Sequence, residues 1–139
     1  GSEMCIRDRH GGFTTAEPWL SVNPNHTRIN AAAQIDDPDS VFSHYRKLIA
    51  LRKQYDVIAY GDFAPLDETH PSVLAYTRQL DGEQLVVVNN FYRTEADWTC
   101  PINLDGFTCL LSNYPDAAVQ TKLHLRPYES LVLYRSAKR

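Results

Sequence analysis

The sequence predicts a mainly β protein, an antiparallel β-sandwich preceded by a long loop and one helix. Three observations lead there. From Val57 to the C-terminus, short β-rich runs recur with turn residues between them. A single segment, residues 38–54, carries helical periodicity. The stretch from His10 to Ala33 is rich in Gly, Pro, Asn and Thr and has no period at all.

Taken in order, His10 to Ala33 reads as a structured loop, because Pro18 and Pro24 break any regular element. A long loop without a core of its own lies on another body and often carries function. Asp37 ahead of Pro38 places a capping carboxylate before a proline in a first helical turn, with Asp39 near the positive end of the dipole. Val41, Phe42, Tyr45, Leu48, Ile49 and Arg52 then follow the i, i+3, i+4 rhythm, which predicts a helix from Pro38 to Gln54.

After Tyr55 the period shortens. Val57–Tyr60 reads as a strand, then Gly61-Asp62 as a turn and Phe63–Leu66 as the next strand. Val73–Gln79 and Gln84–Phe91 flank Asp81-Gly82, the signature of a tight hairpin. Ala96–Cys100, Phe107–Leu111, Lys122–Leu125 and Ser130–Arg135 complete the strands. These runs make one domain of about 80 residues, a size that folds around a single core. One helix cannot cover both faces of so many strands, so the helix reads as part of a neighbouring domain. The domain boundaries expected are 10–56 for loop plus helix and 57–139 for the sandwich. Gly1 to Arg9 fits nothing that follows; it resembles a translated sequencing adapter and is read as an artefactual leader.

Composition narrows the function. With 139 residues, 43% hydrophobic and 22% charged, the chain is of ordinary globular type rather than disordered. Net charge of -3 gives no cationic field for a phosphate backbone, which argues against nucleic acid. Apolar runs such as Leu85–Val88 are far too short for a bilayer. Cys5, Cys100 and Cys109 do not have the spacing of a metal site or a disulfide scaffold, although Cys100 and Cys109 are near enough to meet across a hairpin.

The chemistry-bearing residues have simple structural readings. Asp36, Asp37 and Asp39 suit a helix cap, Asp62, Asp67, Glu68, Asp81 and Glu83 suit turns, and Glu129 suits a strand-end surface. A hydrolytic pair of carboxylates is therefore not assigned among them. The five histidines lack ligand spacing, and no serine sits in a nucleophile elbow. Strand aromatics Tyr76, Phe91, Trp98, Phe107, Tyr128 and Tyr134 suit either a sugar-stacking platform or, preferably, core packing. In the loop, Phe13, Trp19, Asn23 and Asn25 combine rings with amides, which suits either polyol recognition at the rim of a site or, preferably, a loop that Phe13 and Trp19 anchor on another domain.

Those loop residues also carry a resemblance. Gly12-Phe13-Thr14-Thr15, Pro18-Trp19-Leu20, Val22-Asn23-Pro24-Asn25 and Ile29-Asn30, then Asp37-Pro38-Asp39-Ser40-Val41-Phe42 through Leu51-Arg52-Lys53, resemble the end of the oligo-1,6-glucosidase group of glycoside hydrolase family 13. Tyr60-Gly61-Asp62-Phe63, Leu85 to Phe91 and Leu125-Arg126-Pro127-Tyr128-Glu129 continue it. His26 after Asn25, and His10-Gly11 before Gly12, depart from the family pattern.

The resemblance implies that the loop follows the eighth strand of a (β/α)8 barrel and that the helix is the barrel's last. The strands are then the C-terminal sandwich. It implies a cytoplasmic retaining α-glucosidase without a cofactor, acting on α-glucoside oligosaccharides. Trehalose-6-phosphate hydrolase is the alternative within the family, and a non-catalytic carbohydrate-binding or structural module is the alternative outside it. The family's aspartate nucleophile, glutamate acid/base and second aspartate have no counterpart in this chain, so by itself it is expected to be inactive and no catalytic residue is assigned. Neither sequence nor resemblance fixes an oligomeric state.

Overall fold

A computed structural model describes residues 14–137. The chain divides between Ala50 and Leu51 into two compact units.

Among the described residues of the first unit a 3-10 turn, Pro24–Thr27, leads to a four-residue helix α1, Ala31–Gln34. The sequence reading treated both as loop. Their signal is two asparagines: Asn23 accepts from the Asn25 amide at 3.1 Å and Asn30 accepts from the Ala33 amide at 2.8 Å, each capping the turn that follows. Helix α2 spans Val41–Gln54, three residues shorter than expected at its start. Asp37 closes a local turn onto the Asp39 amide at 2.9 Å, and Ser40 is the cap, its Oγ accepting from the Ser43 amide at 3.1 Å. The competing local turn removes Asp37 from the helix and leaves capping to the next hydroxyl.

In the second unit a further short helix, α3 (Asp56–Tyr60), precedes seven strands: β1 Asp62–Asp67, β2 Val73–Leu80, β3 Glu83–Asn90, β4 Ala96–Thr99, β5 Thr108–Ser112, β6 Lys122–Leu125 and β7 Ser130–Arg135. A five-stranded antiparallel sheet in the order β1-β2-β3-β7-β5 faces a two-stranded sheet of β4 and β6. The fold is an antiparallel β-sandwich. Asp81 and Gly82 both have positive φ (49° and 85°), the backbone that a two-residue hairpin requires between Leu80 and Glu83.

Alternation along the strands builds the core. Val73, Ala75, Val86, Val88, Leu131 and Leu133 from the large sheet meet Trp98, Leu123 and Leu125 from the small one. The other face of the large sheet is also covered, since Leu85, Val87 and Val132 pack with Val57, which is completely buried. This explains the one mistaken strand. Val57–Tyr60 is β-rich in composition, but as a helical turn it drops Val57 onto the outer face of β3, and that burial outweighs the local preference.

The turn from α3 into β1 tolerates only glycine. Gly61 donates to the Val57 carbonyl at 3.2 Å, and a Cβ there would lie 2.5 Å from that oxygen and 3.0 Å from the Gln79 carbonyl. Both obstacles are backbone. Gly61→Ala should destabilise the second unit by about 2–3 kcal/mol, read as a lowered urea midpoint with unchanged slope.

The edge strands are interrupted rather than open. β1 bulges between Pro65 and Asp67, and β5 bulges between Cys109 and Leu111. Such irregularities discourage pairing with a further strand.

Candidate functional site

The rim proposed from sequence lies in the first unit, apart from Phe13, which is outside the described residues. Trp19 is 92% exposed. Asn23 and Asn25 sit together at the 3-10 turn but point their chemistry differently. The Asn23 side chain is committed to the cap, and its carbonyl accepts from the His26 amide at 3.0 Å and meets His26 Nδ1 at 2.8 Å. Asn25 uses its carbonyl for the Arg28 and Ile29 amides, both at 2.8 Å, and its exposed side chain makes no hydrogen bond among the described residues. Asn30, buried, ties the turn to α1 through His26 at 2.9 Å. These bonds fix the turn and leave the Asn25 side chain exposed, while no described hydrogen bond links Trp19 to it.

Helix α2 shows the same unpartnered character. Val41, Phe42, Tyr45, Leu48 and Ile49 are all exposed, and Ser43 is the only buried residue of the helix. An amphipathic helix whose apolar stripe meets solvent is a packing surface without its counterpart.

In the sandwich, the polar groups form closed structural networks. Glu129, expected at the surface, is only 4% exposed. Its carboxylate accepts from the Arg126 amide (2.8 Å), Nε (3.1 Å) and Nη2 (2.8 Å), while Arg126 Nη1 reaches Asp116 at 2.5 Å. The guanidinium also lies 3.9 Å over the Tyr114 ring. Its hydrogen bonds to Arg126 pull the Glu129 pKa below the ordinary carboxylate range, against the opposing effect of burial. Asp116 is lowered by its hydrogen bond to Arg126, and Asp67 by bonds from Thr69 first and from Trp98 and His70 after it. A general acid in glycoside hydrolysis needs the opposite shift, so none of these three suits that role.

Cys100 and Cys109 are free thiols and do not form a disulfide with each other. Desolvation raises the pKa of both Cys100 and Cys109, which makes them poor nucleophiles. Among the described residues no cluster of three or more His, Cys, Asp and Glu is arranged to hold a metal, and no helix is long and apolar enough to cross a membrane.

His124 on β6 faces two carboxylates, Asp97 at 2.7 Å from Nδ1 and Glu95 at 3.4 Å from Nε2. The hydrogen bond to Asp97 raises its pKa above 6.5, with charge attraction to Asp97 and Glu95 adding to it. A raised folded-state pKa stabilises the fold fully below 6.5, and that contribution disappears as pH rises through the raised value. An NMR titration should place the His124 midpoint above 6.5 and find it lowered in Asp97→Asn. An unchanged midpoint would show that the pair is screened out.

The strand aromatics separate into two groups. Trp98 and Phe107 are core, and Tyr76 and Tyr134 are half-buried. Phe91 and Tyr128 are exposed instead, together with Tyr92, contrary to the core reading. The signal for Tyr128 was Pro127 before it. The Glu129 amide donates to the Arg126 carbonyl at 3.1 Å across this pair, a β-turn whose third residue takes positive φ.

Comparison with known proteins now adds to the geometry. Residues 4–61 match the family model for the α-amylase catalytic domain, and residues 73–132 match that of the α-amylase SusG C-terminal domain. The chain is 44% identical to the oligo-1,6-glucosidase of Halalkalibacterium halodurans over 89% of its own length and 23% of the relative's. It is 44% identical to the trehalose-6-phosphate hydrolase of Bacillus subtilis over 93% of its length and 24% of the relative's. Among solved structures, trehalose-6-phosphate hydrolase from Bacillus licheniformis superposes with a TM-score of 0.83 at 38% identity, over 90% of this chain and 23% of that one. Trehalulose synthase from Pseudomonas mesoacidophila MX-45 gives 0.81 at 40% identity, over 90% and 23%. The chain thus spans about a quarter of the length of the relatives it matches.

Proposed function

The chain belongs to the α-amylase family, glycoside hydrolase family 13, and from that premise we propose that it is the closing part of an α-glucosidase that hydrolyses terminal α-glucosidic bonds of oligosaccharides. The observation that carries this is the order of the two matches, the catalytic domain at residues 4–61 followed by a C-terminal domain at residues 73–132. In this reading the loop and α2 are the last βα unit of the barrel. The rest of the barrel covers the apolar stripe of Val41, Tyr45 and Ile49. Trp19, Asn23 and Asn25 then belong to the loop after the last barrel strand, and loops at that end of such barrels carry their substrate rims. Asn25 presents an exposed amide. The enzyme needs no cofactor, works in the cytoplasm, and retains anomeric configuration through carboxylates outside this chain.

The second reading, a trehalose-6-phosphate hydrolase, is favoured by the match to the Bacillus subtilis enzyme, which is as identical as the best oligo-1,6-glucosidase match reported above. The two readings differ in substrate charge. The protein encoded by the complete reading frame should be assayed with isomaltose, maltose and trehalose 6-phosphate at equal concentration. Preference for isomaltose supports the first reading and preference for trehalose 6-phosphate the second. Turnover of none of them would sink both.

A further inference from the structure

Two boundaries in this chain do not coincide. The catalytic-domain match ends at residue 61 and the C-terminal match begins at residue 73, whereas the compact unit that contains the sandwich begins at Leu51. Residues 51–61 are therefore catalytic domain by family and sandwich by packing. Val57 is completely buried against Leu85, Val87 and Val132 on the outer face of the large sheet, and Tyr55 and Ile58 pack on the same cluster. Residues 55–61 are also tied to the strands at both ends. At the start, the Tyr55 ring lies on Tyr134 of β7, with centroids 4.8 Å apart and planes tilted by 59°. The Tyr134 hydroxyl donates to the Glu83 carboxylate of β3, a charge-assisted bond that holds the ring in place. That bond first, and desolvation after it, push the Tyr134 pKa up to about 12, so the phenol keeps its proton and its donor role at neutral pH. At the end, Arg78 of β2 donates from Nη2 to the Gly61 carbonyl at 2.7 Å.

We propose that the outer face of the large sheet is an interdomain surface whose partner is the chain's own residues 55–61, an anchor that builds the end of the catalytic domain into the sandwich. Tyr134 is a positioning residue in this anchor, fixed by Glu83 and holding Tyr55. Domains of one chain move relative to each other by default, unless the surface between them is large and apolar. Here its centre is Val57, Leu85, Val87 and Val132, so the anchor opens only when the strands open. The sandwich then lacks a complete outer core without the last residues of the catalytic domain, and the two do not separate at the family boundary. The inference needs the family membership alone and is independent of the α-glucosidase reading.

The test is native-state hydrogen exchange of the 139-residue chain in rising urea, read residue by residue by NMR. The Tyr55, Ile58 and Gly61 amides donate to the Leu51, Tyr55 and Val57 carbonyls. They are expected to open together with the amides of β3 and β7, and not with the α2 amides of residues 44–50. Tyr55→Ala should speed exchange in the anchor and in β3 and β7 by one common factor of at least about tenfold, and Tyr55→Phe should restore both. Tyr134→Phe keeps the ring and loses the bond to Glu83. It should speed the same amides about fivefold to tenfold and move the Tyr55 ring-proton resonances as that ring loses its fixed neighbour. The proposal is overturned if the anchor amides open with residues 44–50 while the strands stay protected, or if Tyr55→Ala frees the anchor and leaves β3 and β7 unchanged. Tyr134→Phe without effect on exchange or on the Tyr55 ring would overturn the positioning role. Hydrolysis by the complete protein is a separate readout, so failure of either proposal leaves the other standing.

Discussion

Replacing Glu129 by alanine should lower the stability of the sandwich by about 3 kcal/mol, the lower end of the range for a buried ion pair broken on one side. The carboxylate has two functions. It takes three donors from Arg126, including the backbone amide that starts the turn, and it is buried while its partner is partly open to water. Removal leaves the guanidinium held only by Asp116 and the Tyr114 face. For a domain of this size the melting temperature should fall by roughly 10–20 °C. Glu129→Gln should cost less, because an amide oxygen still accepts from the Arg126 amide. Combining Glu129→Ala with Arg126→Ala should recover part of the loss, since the unpaired charge goes as well. A fall of under about 1 kcal/mol in the single variant would place the pair among ordinary surface bridges.

Trp98→Ala should be at least as damaging, at about 3–5 kcal/mol. Trp98 stands on β4 within the core between the two sheets, and its indole donates to Asp67 at 3.2 Å. The small sheet has only two strands, so the loss of its largest core residue removes much of what holds it to the large one. Trp98→Phe separates the causes. It keeps most of the packing and loses the hydrogen bond, and chemical denaturation should find it well above the alanine variant. Equal losses would assign the effect to the Asp67 contact.

The strands were legible because one physical rule produces each of them. Alternation with a buried inner face places β6 at the residues expected, the continuous apolar run Leu131–Leu133, buried on both faces, places β7, and Asp81-Gly82 fixes the hairpin register. Where short-range and long-range preferences differ, the sequence misleads. Val57 is β-branched, but its burial on the outer face of β3 is decided by residues thirty positions away. Asp37 has the right chemistry for a cap, and the turn at Asp39 claims it first. Glu129 was invisible as a buried group because its partner lies three residues away across a turn, a spacing that has meaning in a helix and none in a strand. The rim residues were legible only as composition. Their hydrogen bonds separate Asn23, whose side chain holds the turn, from Asn25, whose exposed side chain makes no hydrogen bond among the described residues.

The proposed role, closing an α-glucosidase whose catalytic carboxylates lie outside these residues, is open to direct assay. The most direct measurement is release of glucose from isomaltose by the 139-residue chain, side by side with the protein encoded by the complete reading frame. The account predicts turnover by the complete protein and none above background by the chain alone. Sustained hydrolysis by the chain, lost when one of its own carboxylates is replaced, would contradict it.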